Sequence, residues 1–235
     1  VLYVYVCMYV VKRFRPFANL FCFVLQIFIY ASSLGFFDIR VNLIFFLITI
    51  WGVRLFLHLY FREKGKSEDY RYRSIRNSYD PKKFWWYSLF SIFYLQGLLS
   101  FIIAAPLAII AFMSKNSAFS AFDLVGLAVG FLGFLLEAIS DWQLMCFKKD
   151  IRNRGKVFDK GLWAFSRHPN YLGDMIMWWG VFIVALGLSY GFMSFFGPLV
   201  MSYLLVKVSG ADLLDKKQMQ RKSEYASYIN RVPRL

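Results

Sequence analysis

Hydrophobic residues in this chain come in long runs separated by short polar turns. They show neither the strict alternation of a half-buried strand nor the one-sided stripe of a soluble surface helix. The runs fall at about 1–11, 17–37, 41–61, 84–113, 122–146, 173–188 and 190–207. Several approach the ~20 residues that an α-helix needs to cross a bilayer. The pattern predicts an all-α, polytopic integral membrane bundle of about 6–7 transmembrane helices, reading as a single domain over 1–235. The run 84–113 is long for one span, and Pro106 near its end predicts a kink or a re-entrant finish. The last two runs are joined by "LGLSYGF", which reads as a tight hairpin. The chain begins at Val1 rather than Met, so its N-terminus reads as trimmed.

Composition strengthens this picture. Over 235 residues the chain is 59% hydrophobic and 21% aromatic, more apolar surface than a soluble domain of this length covers. Charge then orients it. The net charge of +14 would point to nucleic acid in a soluble protein, but here the cations map onto topology and no nucleic-acid partner is expected. Basic residues cluster at 12–15, 62–83, 148–167 and 207–234, and the turns at 38–40, 114–121 and near 189 fall on the opposite side. By the positive-inside rule the basic loops and the tail share the cytoplasm, and a site built from them faces it. Three cysteines, Cys7, Cys22 and Cys146, lie in or beside apolar runs without paired spacing. They are expected to be buried free thiols, with neither a disulfide framework nor a metal site.

Ionisable residues inside apolar runs are costly and therefore informative. Arg54 and His58 are four apart, as are Glu137 and Asp141, so each pair shares a helical face. The second stripe continues through Lys148 to Arg152. Two explanations stand side by side: Arg54 neutralised by Glu137 or Asp141, or a polar cavity open to the cytoplasm. The loop 62–83 interleaves Tyr70 and Tyr72 with arginines, suited to anionic lipid or to a planar, phosphate-bearing ligand. In "GKVFDKGLWAFSRHPNYLGD" at 155–174, Gly155 and Gly161 flank a polar turn and Trp163 reads as an interfacial anchor. Pro169 starts a helix there, whose first N–H groups with Arg167 and Lys160 suit an anion. Asp174, just inside that helix, suits a ribose or an amide.

"SRHPNYLGD" at 166–174, followed by an apolar helix containing tryptophan, closely resembles the C-terminal signature of the membrane sterol reductases and the steroid 5α-reductase-like family, nearest its bacterial branch. "WGVRLFLHLYFREKGKSEDYRY" at 51–72, "FYLQGLL" at 93–99, "LLEAISDWQ" at 135–143 and the tail from 213 to 235 stand in the expected order. The family's usual ending runs a little beyond "VPRL", so the C-terminus also reads as clipped. The resemblance implies an NADPH-dependent reductase acting on a carbon–carbon double bond of a lipid-like substrate that enters from the bilayer. The cofactor portion is then about 122–235, with NADPH held between helices, consistent with a chain that has no GxGxxG.

By matching position the resemblance assigns Asp141, Lys148, Asn170, Tyr171 and Asp174 to the cofactor, with Arg167 and His168 in the same signature. Tyr225, Tyr228 and Arg231 are expected to close over the nucleotide. Glu137 stands where some relatives carry asparagine, and Arg54 with Glu137 is read as a substrate or buried polar pair. His58, Tyr60 and Tyr72 are the catalytic candidates. The rival family is the isoprenylcysteine carboxyl methyltransferase type, which shares an "RHPxY.G" turn but binds S-adenosylmethionine. Asn170, Asp174 and "LLDKK", in place of that group's paired glutamates, favour the reductase.

Overall fold

The computed structural model describes residues 38–63, 94–115, 117–208 and 211–235, and every regular element among them is helical. The chain divides into two compact units that meet in sequence at Ser117 and Ala118. Tyr72 and the loop 64–93 lie outside the described residues, as do the runs 1–11 and 17–37.

The N-terminal unit contains helix α1, Ile39–Glu63. Asp38 starts it, accepting from the backbone N–H of Arg40 at 2.8 Å and of Val41 at 3.4 Å. Ile44, Leu47, Ile48, Trp51, Leu55 and Leu59 are buried along one side, while Ile39, Phe46, Ile50, Leu57 and Phe61 are exposed on the other. A helix apolar all round belongs in a large core or in lipid. Next come α2, Leu95–Ile103, and α3, Ala105–Met113, split at Ala104. The cause is Pro106, which has no N–H to give and whose ring crowds the carbonyl four residues back. The kink expected there is present, as a full break two residues earlier.

The C-terminal unit is built on α4, Ala121–Lys149, and α5, Pro169–Leu186. A capping box begins α4: Ser120 N–H donates to Asp123 Oδ2 at 2.6 Å. The two faces of α4 are inverted relative to a soluble helix. Its buried residues are Asp123, Gly126, Gly130, Gly133, Glu137, Ser140 and Asp141. Phe122, Leu124, Val125, Phe131, Leu132, Ile139 and Trp142 are exposed. Small and polar groups inward with large apolar groups outward is the arrangement that lipid selects.

Glycine sets how closely the two helices approach. A Cβ on Gly133 would lie 2.7 Å from the carbonyl oxygen of Gly173, and one on Gly173 would lie 2.7 Å from that of Gly133. Gly126 and Gly180 repeat the same reciprocal 2.7 Å relation farther along. The helices are therefore antiparallel with backbones in direct contact, and α5 buries Met177, Trp178, Val181 and Val184. At 29 residues, α4 extends about 43 Å, longer than a ~30 Å hydrocarbon core.

Among the described residues, α1 and α4 are the helices long and apolar enough to cross a membrane. The expectation of one span per run is thus met only in part. The run 190–207 is a 3₁₀ turn at Gly191–Phe195, a short helix α6 at Phe196–Tyr203 and a π turn at Leu204–Val208. Tyr190, with φ 61°, makes the hairpin before it. Cys146, expected to be buried, is exposed on α4.

Candidate functional site

The polar end of the α4–α5 pair is assembled by the loop that joins them. Asp150 ends α4 by accepting from Arg152 N–H at 2.9 Å and pairing with its guanidinium at 2.8 Å. The polar stripe expected to run on to Arg152 therefore stops at Lys149. Gly155 and Gly161 both take positive φ, 86° and 61°, as a reversing turn requires. Gly161 also abuts the Gln143 side chain, whose Oε1 accepts from Leu162 N–H at 3.0 Å. Trp163 is buried against α4, and its indole N–H donates to the Ser140 carbonyl at 3.0 Å. Phe147 and Phe158 stack at 4.7 Å beside it. These ties fold the loop back on α4 and aim residues 166–170 at its polar face.

Pro169 opens α5 as expected. In the next position Asn170 is half-buried and donates from Nδ2 to Asp141 Oδ1 at 3.1 Å. This is the first pair of predicted cofactor residues that the fold unites. Tyr171 stacks on His168 at 5.5 Å with the rings 8° from parallel. Asp174 and Glu137 are enclosed between the helices, 0% and 2% exposed. Lys148 is exposed.

The C-terminal tail then closes on the same turn. It comprises α7, Ala211–Met219, α8, Tyr225–Arg231, and the residues after them. Arg167 N–H donates to the Pro233 carbonyl at 3.0 Å, and Ser166 Oγ to that of Arg234 at 3.1 Å. The Tyr228 hydroxyl donates to the Trp163 carbonyl at 2.5 Å, and Arg231 faces Asp159 at 3.4 Å. Lys222 Nζ reaches the Lys156 carbonyl at 2.6 Å.

At the centre of this docking lies Asp215, 5% exposed. Its Oδ2 accepts from Arg167 at 2.6 Å and faces Arg234 Nε at 3.5 Å. Its Oδ1 lies 2.9 Å from His168 Nε2 and accepts from the Tyr225 hydroxyl at 2.6 Å. Burial alone pushes the Asp215 carboxyl up. The hydrogen bonds from His168 and Tyr225, with the charges of His168 and Arg167, outweigh it and hold the group below the ordinary carboxylate range. Burial and the neighbouring Asp215 drive the Tyr225 hydroxyl up, and burial with Asp159 pushes Tyr228 up to about 12.

The two tyrosines predict an alkaline transition. Their folded values lie above the unfolded value of ~10, so their stabilising effect is intact below that pH and is lost as pH rises through 10 towards 12. Tyrosinate absorbance and helicity should change together in that window. Tyr228→Phe should remove that residue's share of the change and leave the share of Tyr225, and an unaltered profile would contradict this docking.

The fold thus brings together Asp141, Arg167, His168, Asn170, Tyr171, Tyr225, Tyr228 and Arg231. Arg167, His168 and Tyr225 are spent on Asp215, and Tyr228 on the loop carbonyl of Trp163. In the N-terminal unit, Arg54 and His58 are half-buried on α1. Tyr60 is 42% exposed and stacks on Phe56 at 6.2 Å. Sequence reasoning missed Asp215 and Arg234. Asp215 was legible only as the odd residue of "LLDKK", since its partner Arg167 is 48 positions away.

The family model described as "Protein of unknown function (DUF1295)" matches residues 17–232. An uncharacterised protein of Schizosaccharomyces pombe is 32% identical over 163 residues, 59% of this chain and 46% of that protein. A probable O-methyltransferase, ustE, of Ustilaginoidea virens is 35% identical over 69 residues, 28% of this chain and 24% of that protein. The matched stretches span less than half the length of either relative. No solved structure matches the chain.

Proposed function

Because the chain belongs to the DUF1295 family, related to steroid 5α-reductase-like and methyltransferase-like membrane proteins, we propose that it is a membrane enzyme that uses NADPH to reduce a double bond of a lipid-like substrate. The observation that carries the cofactor is electrostatic. The loop and tail that meet at the polar end of α4 carry seven Lys and Arg against two Asp over 148–167, and seven against three acidic residues over 207–235. Lys149, Arg154, Lys156, Lys160 and Arg231 are exposed there. Such a rim favours a ligand with several phosphates over the cationic sulfonium of S-adenosylmethionine.

The residues present fit NADPH in two tiers. Asn170, Asp141, Lys148 and Arg231 would hold it directly, with the exposed cations meeting the 2′-phosphate and pyrophosphate. Arg167, His168, Tyr225 and Tyr228 hold the frame behind them. When bound, NADPH supplies hydride to the substrate. The chain's own task is to orient the two, to exclude water and to deliver a proton to the other carbon. His58, Tyr60 and Tyr72 are the proposed proton donors. Substrate entry from the bilayer and a cytoplasm-facing, multi-pass arrangement complete this reading, supported by the apolar outer faces of α1 and α4.

A second reading, methyl transfer from S-adenosylmethionine, is favoured by the similarity to the probable O-methyltransferase. Parallel titration of the purified protein with NADPH, NADH and S-adenosylmethionine separates the two. NADPH should bind most tightly. Asn170→Ala should lose ~1–3 kcal/mol of that binding with helicity intact, the magnitude of one buried hydrogen bond. Tight S-adenosylmethionine binding without a response to NADPH would reverse the choice.

A further inference from the structure

We infer that Asp215 is a positioning residue of this site: it sets the protonated nitrogen of His168 and fixes the C-terminal tail to the turn that carries Asn170. This rests on the cofactor reading only for its effect on affinity. An ionised carboxylate accepts hydrogen bonds and donates none. With Asp215 Oδ1 at 2.9 Å from His168 Nε2, that nitrogen must carry a proton. In the neutral ring, Nδ1 is then the acceptor. Stacking on Tyr171 stops the ring from turning away. The charged or titratable groups around the imidazole are Asp215, Arg167, Tyr171, Tyr225 and Arg234. They come from the signature turn, α5, α7, α8 and the chain's last residues, and three of them, Arg167, Tyr225 and Arg234, meet with His168 on the Asp215 carboxylate. Asn170 lies two residues after His168, so whatever fixes His168 also fixes the amide bonded to Asp141.

Asp215→Asn makes this testable. Arg167 only donates, so the new carboxamide must turn its oxygen towards Arg167 and its NH₂ towards His168 and Tyr225. His168 Nε2 must then accept, and the proton moves to Nδ1. The chain has two histidines, so ¹⁵N-histidine NMR of the detergent-solubilised protein, assigned with His58→Gln, reads the tautomer directly. Wild type should show a protonated Nε2, Asp215→Asn a protonated Nδ1, and Asp215→Glu a return towards wild type. Trypsin cleavage at Lys216, Arg221 and Lys222 should be faster by about tenfold in Asp215→Asn, with overall helicity unchanged, and NADPH affinity should fall by about tenfold. A wild-type tautomer and an equally protected tail in Asp215→Asn would overturn the inference, as would undiminished NADPH affinity. If wild type itself fails to bind NADPH, the cofactor reading falls, and the tautomer and the proteolysis still decide the role of Asp215.

Discussion

Replacing Gly133 or Gly180 by alanine should destabilise the protein by ~3 kcal/mol or more. A methyl group on Gly133 would sit 2.7 Å from the Gly173 carbonyl oxygen, and one on Gly180 would sit 2.5 Å from the Gly130 Cα. Both clashes are with backbone, so no side chain can rotate out of the way. The helices must separate along their contact, which loosens Met177, Val181 and Val184, all fully buried. Overpacking usually costs ~1–3 kcal/mol, and forcing apart two helix backbones belongs at or above the top of that range. Gly97 supplies the control: nothing lies within 4 Å of its missing Cβ, so Gly97→Ala in α2 should be neutral or stabilising by up to ~1 kcal/mol. Thermal unfolding of the three variants in one detergent measures the contrast. Equal Tm values for Gly133→Ala and Gly97→Ala would refute the close crossing.

Arg167→Met should cost up to the ~3–5 kcal/mol of a broken buried ion pair, because it takes the closest cation from the buried Asp215 carboxylate and leaves it to His168, Tyr225 and the more distant Arg234. Arg167 and Asp215 are 7% and 5% exposed, so water cannot replace the lost partner. Arg167→Met with Asp215→Leu should recover part of the loss, the signature of direct coupling. The pH dependence has a definite sign. The folded carboxyl of Asp215 titrates below its unfolded value, so in wild type its stabilising effect is present above ~4 and is lost as pH falls through the folded value. In Arg167→Met, acid neutralises the carboxylate that has lost its closest cation, so the deficit against wild type should shrink on acidification. A deficit independent of pH between neutrality and pH ~4 or below would place the role of Arg167 in packing instead.

The sequence by itself determined the helical class, the start of α5 at Pro169, the break before Pro106 and the reversing glycines at 155 and 161. These follow from local rules: hydrophobic run length, proline's missing N–H and glycine's access to positive φ. It also named most residues that meet at the polar end of α4, because the signature turn places Arg167, His168 and Asn170 within four positions. What those residues bond to was decided by tertiary structure. Glycines scattered through 126–180 gain meaning only when two antiparallel helices put 133 against 173 and 126 against 180. The partner of the Trp163 indole, the Ser140 carbonyl 23 positions earlier, has no signal in the spacing of either residue. Asp215 is one acid in a basic tail until the chain returns over 48 residues to set it between Arg167 and His168. Spacing along the chain fixes which side chains share a helical face. Which groups meet across separate segments depends on how the loop and the tail fold back, and no local periodicity encodes that.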